Sequence, residues 1–223
     1  MNTPTLYLDT VILASAAYPS GISYSLFNTF SGMQGAPRAI STRLLSFLVL
    51  PYPAVIAAVW FLRPGLLSWH STSVWMFGIA LFLVPVALAI EYAIHAFATY
   101  RATGQFPRAI VVQSPWPGQL SLVQHLLLAL IAAGEEIFYR MIWLGAMLSL
   151  GFHPLAALAI SSLAYGINHL YSGGLAVASK TVTGCIYGSL YLLGGQSIWL
   201  PIVTHVLQNV VLFQVARRTQ RDA

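Results

Sequence analysis

Glu135 and Glu136 stand side by side in an apolar stretch from Leu120 to Leu150, and Arg140 follows four residues after the second. Two further pairs lie downstream at the same one-turn spacing, Tyr165 with His169 and His205 with Asn209. Carboxylates and imidazoles are the side chains that move protons near neutrality or bind metal ions, while amides and phenols supply hydrogen bonds. An ionised group costs roughly 2.5–3.5 kcal/mol at the centre of a membrane helix on insertion scales. A chain with only 7% Asp, Glu, Lys and Arg has reason to carry that cost only where the charges are used.

Helix geometry separates the two glutamates. Residues four apart share a face, whereas neighbours do not. Glu136 is therefore expected to pair with Arg140, and the pair explains how an arginine is tolerated at this depth. Glu135 faces elsewhere, so its partners must come from other spans. Tyr165 with His169, and His205 with Asn209, each project from one helical face, and a bundle core could gather these faces. Singly, the pieces are ordinary. An intramembrane His or Asn is more often an interhelical hydrogen-bond partner than a catalyst, and an ion pair accounts for Glu136 and Arg140. Only Glu135 lacks a structural explanation.

The elements that must position these groups follow from composition. Apolar residues make up 58% of 223 positions and mean hydropathy is +0.76, with several windows near the 20 or so apolar residues that cross a bilayer. An all-α, polytopic transmembrane bundle is expected. Ten basic and five acidic residues are too few to solvate a soluble surface. The net charge of +5 comes from arginines scattered through loops and the C-terminal tail, a pattern of membrane topology rather than nucleic-acid binding. The single Cys185 reads as a packed thiol.

About seven spans are expected, near residues 5–27, 41–62, 73–99, 120–149, 152–170, 174–194 and 197–215. The first is interrupted by Asp9, Pro19 and Gly21. Ala14-Ser15-Ala16 resembles a cleavage site, but the segment before it has no positive charge. Tyr100 to Gly118, with three prolines, reads as an interfacial linker. It divides residues 1–119 from a core of 120–215 that holds most of the chemistry, with a basic tail at 216–223. Alternating sides puts seven arginines with the C-terminus and Arg63 alone opposite, so the C-terminus is expected to be cytoplasmic. Compact loops and no targeting signal point to a prokaryotic inner membrane.

The ordered set Glu135-Glu136-xxx-Arg140, Tyr165-xxx-His169 and His205-xxx-Asn209 resembles the CPBP family of intramembrane peptidases (CAAX protease and bacteriocin-processing, or Abi), whose motifs are EExxxR, FxxxH and HxxxN or HxxxD. The resemblance covers roughly residues 120–212. Tyr165 stands where the family usually has Phe, which keeps the shape and adds a hydroxyl that needs a partner. The resemblance implies an endopeptidase acting on a membrane-associated protein or peptide, with catalytic Glu135, His169, His205 and Asn209 supported by Glu136, Arg140 and Tyr165. Glu135 would be the general base and His169 would orient the water. His205 and Asn209 would donate to the oxyanion.

The chain has no HExxH, and no cofactor is expected, because the CAAX endopeptidases it resembles read as glutamate-based and no separate base is evident if Glu135 were a ligand. Glu135, His169 and His205 nonetheless form a His2Glu set able to bind zinc, which is the alternative. A proton-coupled transporter would also bury Glu, His and Arg, yet it would spread them along the membrane depth and over both halves. Here they gather on three late spans. A catalytically silent scaffold of the same fold is a third class. Glu91 and His95, four apart in the third span, read as a structural or cavity-lining pair. His125 would line an access route, His70 and His153 would be interfacial, and Lys180 would snorkel.

Overall fold

The computed structural model describes residues 7, 9–10, 19–31, 42–107 and 120–221. The possible cleavage site at 14–16, most of the linker from 108 and the last two residues of the tail lie outside them. Among the described residues there is no strand. The helices are α1 (Pro19–Ser31), α2 (Thr42–Val49), α3 (Pro51–Leu62), α4 (Val74–Thr103), α5 (Leu122–Glu136), a π-helical stretch (Ile137–Leu144), α6 (Gly145–Ser149), α7 (Pro154–Ile167), α8 (Gly174–Leu193) and α9 (Trp199–Arg221).

Local chemistry sets several boundaries. Ser121 and Gln124 form a reciprocal capping box, the Gln124 N–H donating to Ser121 Oγ at 3.2 Å and the Ser121 N–H to Gln124 Oε1 at 2.8 Å, which satisfies two otherwise orphan donors. Proline occupies the first turn of α3 and α7, where its missing N–H costs nothing. α4 ends at Gly104, whose φ of +70° is left-handed and whose N–H closes on the Tyr100 carbonyl.

Among the described residues, three continuous helical stretches are long and apolar enough to cross a membrane: Thr42–Leu62, Val74–Thr103 and Leu122–Ser149. They match the second, third and fourth expected spans. α7 and the part of α9 up to Val215 are shorter apolar helices, and α8 is interrupted by Ser179, Lys180, Thr181 and Thr183. The described residues form the expected all-helical bundle, and its last three helices give apolar length to polar positions.

The bundle is apolar on its outside and polar at its centre. Trp60, Phe61 and Phe82 are exposed, whereas Glu135, Glu136, Arg140, Asn168 and His205 are buried. That inversion is what a lipid-facing surface with a functional interior requires. The main core surrounds the π-helical stretch, with Phe138, Tyr139, Met141 and Ile142 packed against Tyr52, Ala164, Tyr165 and Tyr187. The Ser161 hydroxyl from α7 donates to the Tyr139 carbonyl at 2.6 Å, satisfying a backbone acceptor in the widened turn. α7 and α8 pack closely. A Cβ on Gly184 would meet Tyr165 Cδ1 at 3.0 Å and the Ser162 Cα at 3.2 Å.

At the N-terminal end, Asp9 is fully buried and ion-paired with Arg63 at 2.7 Å, and it also accepts from the Ser149 hydroxyl at 3.1 Å. The residue that interrupts the first expected span thus ties the loop after α3 to the end of α6.

Candidate active site

The last residues of α5 and the π-helical stretch present Glu135, Glu136 and Arg140 to the bundle interior, each no more than 3% exposed. The expected i, i+4 ion pair is present, Arg140 Nε lying 3.1 Å from Glu136 Oε2. The guanidinium also donates from Nη2 to the Gly184 carbonyl at 3.2 Å and lies 4.5 Å from the centre of the Tyr165 ring. Cation–π contact and one carbonyl thus complement the carboxylate.

Glu136 does more than neutralise Arg140. Its other oxygen, Oε1, accepts from His205 Nδ1 at 2.8 Å. A carboxylate cannot donate, so Nδ1 carries the hydrogen and Nε2 is left facing inward. His205 Nε2 lies 3.9 Å from Glu135 Oε2 and in long contact, 3.5 Å, with the Tyr165 hydroxyl. That contact is the partner the extra hydroxyl required. Tyr187 stacks on the His205 ring, with centroids 5.0 Å apart, and donates to the buried Gln208.

His169 approaches Glu135 from the other side. It follows α7 rather than lying within it, but its ring still meets Tyr165 edge-on at 5.0 Å. Its Nδ1 donates to the Tyr165 carbonyl at 3.0 Å, and its Nε2 lies 3.8 Å from Glu135 Oε1. Both histidines therefore have Nδ1 committed to an oxygen acceptor and turn Nε2 toward the same carboxylate. Neither gap is bridged by a direct hydrogen bond.

Asn209 is half-buried on α9 and its side chain makes no hydrogen bond with a described residue, while its neighbour Gln208 takes the buried position. The structure thus gathers Glu135, Glu136, Arg140, Tyr165, His169 and His205, and leaves the Asn209 amide uncommitted. Three residues not expected from the sequence join them: Ser20, Tyr52 and Asn168, hydrogen-bonded to one another and, through Tyr52 and Asn168, to Glu135.

The other ionisable groups lie apart from this cluster. Glu91 does not pair with His95; it binds Lys180 of α8 at 2.6 Å, and His95 is exposed. A full cation within reach outcompetes an imidazole one turn away, and the same bond holds Lys180 in place of snorkelling. His125 is exposed and bonds its own helix start at the Ser121 carbonyl. His153 caps α7.

Residues 117–211 match the family described as type II CAAX prenyl endopeptidase Rce1-like. This segment is similar to an Rce1-like peptidase core. It contains Glu135, His169, His205 and Asn209 and excludes α1–α4, so Ser20 and Tyr52 reach the Rce1-like core from outside it. The family is one of peptidases, in agreement with the CPBP resemblance. No curated protein and no solved structure matches the chain significantly.

Proposed function

We propose that the protein is a glutamate-dependent intramembrane endopeptidase that cleaves a membrane-associated protein or peptide. The observation that carries this reading is the convergence of His169 Nε2 and His205 Nε2 on Glu135, at 3.8 and 3.9 Å, inside an apolar bundle. A structural ion pair needs Glu136 and Arg140 alone; it leaves no task for a second carboxylate flanked by two oriented imidazoles.

In this mechanism a water held among the three groups gives a proton to Glu135 as its oxygen attacks the carbonyl carbon of the scissile bond. His169, with its tautomer fixed by the Tyr165 carbonyl, accepts a hydrogen bond from the water's other hydrogen, which stays on the attacking oxygen and is released when the acid product ionises. The carbonyl π electrons move to oxygen, and that oxyanion takes hydrogen bonds from Asn209 and from His205 Nε2 in its doubly protonated form, with Glu136 holding the opposite nitrogen. Collapse of the intermediate breaks the C–N bond, and Glu135 returns its proton to the leaving amine. The products are a carboxylate and an amine.

The family match and the lipid-exposed bundle favour a prenylated C-terminal peptide as substrate. A quenched peptide bearing a farnesylated cysteine should be cleaved in proteoliposomes faster than its unprenylated counterpart. Equal rates for the two would remove prenyl recognition from this reading. His205→Ala or Asn209→Ala should lower kcat by about 10²- to 10³-fold if each supplies one oxyanion donor. A change confined to KM would contradict that role. The arginine distribution supports a cytoplasmic C-terminus.

A zinc-dependent version is the second reading, favoured by the two Nδ1–H groups anchored on a carboxylate and a carbonyl, an arrangement typical of histidine ligands. Glu135, His169 and His205 would hold the ion, which would supply an activated water. The separations of 3.8 and 3.9 Å run to different oxygens of Glu135 and exceed the ~3.4 Å between tetrahedral ligands with bonds near 2.1 Å, and among the described residues no three such side chains are placed to hold a metal ion as they stand, so the site would have to close up. The metal-free reading is preferred because Glu136, shared by Arg140 and His205, is not free to act as base if Glu135 becomes a ligand. Activity should persist in strong chelator, with no stoichiometric zinc by elemental analysis. About one zinc per chain, with activity restored only on adding it back, would establish the zinc-dependent version.

A further inference from the structure

The two oxygens of Glu135 have unlike surroundings. Oε1 accepts from the Tyr52 hydroxyl at 3.2 Å and from Asn168 Nδ2 at 3.2 Å, whereas Oε2 accepts from no described residue. A carboxylate oxygen offers about two lone-pair sites, so Oε1 is saturated. Oε2 remains open on the side of His205 Nε2.

The main bonds of this network are directed from its two ends, the Ser20 N–H, which can only donate, and the Glu135 carboxylate, which can only accept. The backbone N–H of Ser20 points at Asn168 Oδ1 at 2.9 Å, and a backbone N–H can only donate. The carbonyl side of the Asn168 amide therefore faces Ser20 N, and its NH2 faces Glu135 Oε1 and Ser20 Oγ, the latter at 3.0 Å. Having accepted one hydrogen from Asn168, Ser20 Oγ donates its own to the Tyr52 hydroxyl at 2.7 Å. Tyr52 then has one hydrogen left to give, and Glu135 Oε1 receives it. All five groups, including the backbone amide, are satisfied in this one arrangement.

Packing holds the arrangement in place. Tyr52 is 2% exposed and Asn168 fully buried. A Cβ on Gly134 would meet Tyr52 Cβ at 2.8 Å and Cγ at 2.7 Å, so the glycine before Glu135 is what lets the α3 backbone bring the phenol this close.

The geometry points to Tyr52 and Asn168 as positioning residues that hold Glu135 Oε1 and thereby assign Oε2 as the oxygen that takes the proton from water. This role rests on the peptidase reading and deepens it. It makes the Rce1-like core dependent on two elements outside its matched span, α3 through Tyr52 and α1 through Ser20. Three elements distant in sequence have to meet for one carboxylate to be oriented, whereas a purely structural polar cluster would have no reason to leave Oε2 bare.

The test uses the full chain with Tyr52→Phe, which keeps the ring and its packing and removes one donor, and Asn168→Leu as a second variant. With the quenched farnesylated peptide, Tyr52→Phe should lower kcat by about 10- to 100-fold, the loss expected for one hydrogen bond to a charged group. KM should stay within about two-fold and the folded yield near wild type. A structural role would instead reduce the folded fraction and leave kcat per folded molecule unchanged. Independently of turnover, the infrared difference between wild type and Glu135→Gln isolates the Glu135 band, and that band should shift in the Tyr52→Phe background. An unmoved band, or kcat within two-fold of wild type, would overturn the assignment. Failure of the peptidase reading is seen separately, as wild type and Glu135→Gln being equally inactive on the peptide.

Discussion

Glu135→Gln should lower peptide cleavage by about 10²- to 10⁴-fold, the range a positioned general base contributes, with little loss of folded protein. The substitution is nearly isosteric. The glutamine carbonyl can take the place of Oε1 and still accept from Tyr52 and Asn168, while its NH2 replaces Oε2, facing His205 Nε2 where the carboxylate lay 3.9 Å away. Fold and network are kept and the proton acceptor is lost. Removal of His169 should be nearly as severe, because its Nε2 is the second acceptor beside the water. Comparing new chain termini in the membrane proteome with and without Glu135→Gln would read the effect on native substrates. Wild-type activity in the variant would end the assignment of Glu135 as base.

Much of this site was legible because it is built from one-turn spacings. Glu136 with Arg140 is a purely local relation, and the structure contains it as an ion pair at 3.1 Å. Tyr165 and His169 stay together even though α7 ends at Ile167, since the turn after it keeps His169 bonded to the carbonyl four residues back. The same spacing logic was less complete on α9. It sends His205 inward, yet Gln208 rather than Asn209 occupies the buried position beside Tyr187.

What spacing could not show are relations between distant elements. Tyr52 lies between Pro51 and Pro53 in an apolar span with no polar neighbour at helical interval, so nothing local marks it as a partner of Glu135. Asn168 sits next to His169 and could have been noticed; its importance depends on Ser20, 148 positions earlier. Glu91 and His95 satisfy the spacing rule and still do not pair, because Lys180 from α8 is the stronger partner. The π-helical stretch was also silent. Ile137 to Leu144 contains neither glycine nor proline, and every residue from Phe138 onward in it is buried, so the widened turn comes from tertiary packing rather than from a local breaker.

The two adjacent glutamates should differ sharply in their response to a change at Arg140. Glu136 is fully buried and Arg140 is 1% exposed, so removing either partner strands a charge in a low-dielectric interior at a typical cost of about 3–5 kcal/mol. Glu136→Gln and Arg140→Met should each accumulate poorly and unfold early in detergent. The double variant removes both charges together. Its glutamine can still accept from His205 Nδ1, and its methionine can fill the space beside Tyr165 and Tyr187 that the arginine stem now occupies. Stability should therefore recover well beyond the sum of the single losses, a coupling that a thermal-unfolding double-mutant cycle measures directly. Glu135 is not bonded to Arg140, so substitutions there should show no rescue by Arg140→Met. Activity gives a second axis, because a neutral amide holds the His205 imidazolium less well than a carboxylate does, and the stable double variant should remain slower than wild type. Additive single losses at Glu136 and Arg140 would mean that the arginine's charge is balanced by another group. Rescue at Glu135 would identify that group and move the role of base to Glu136.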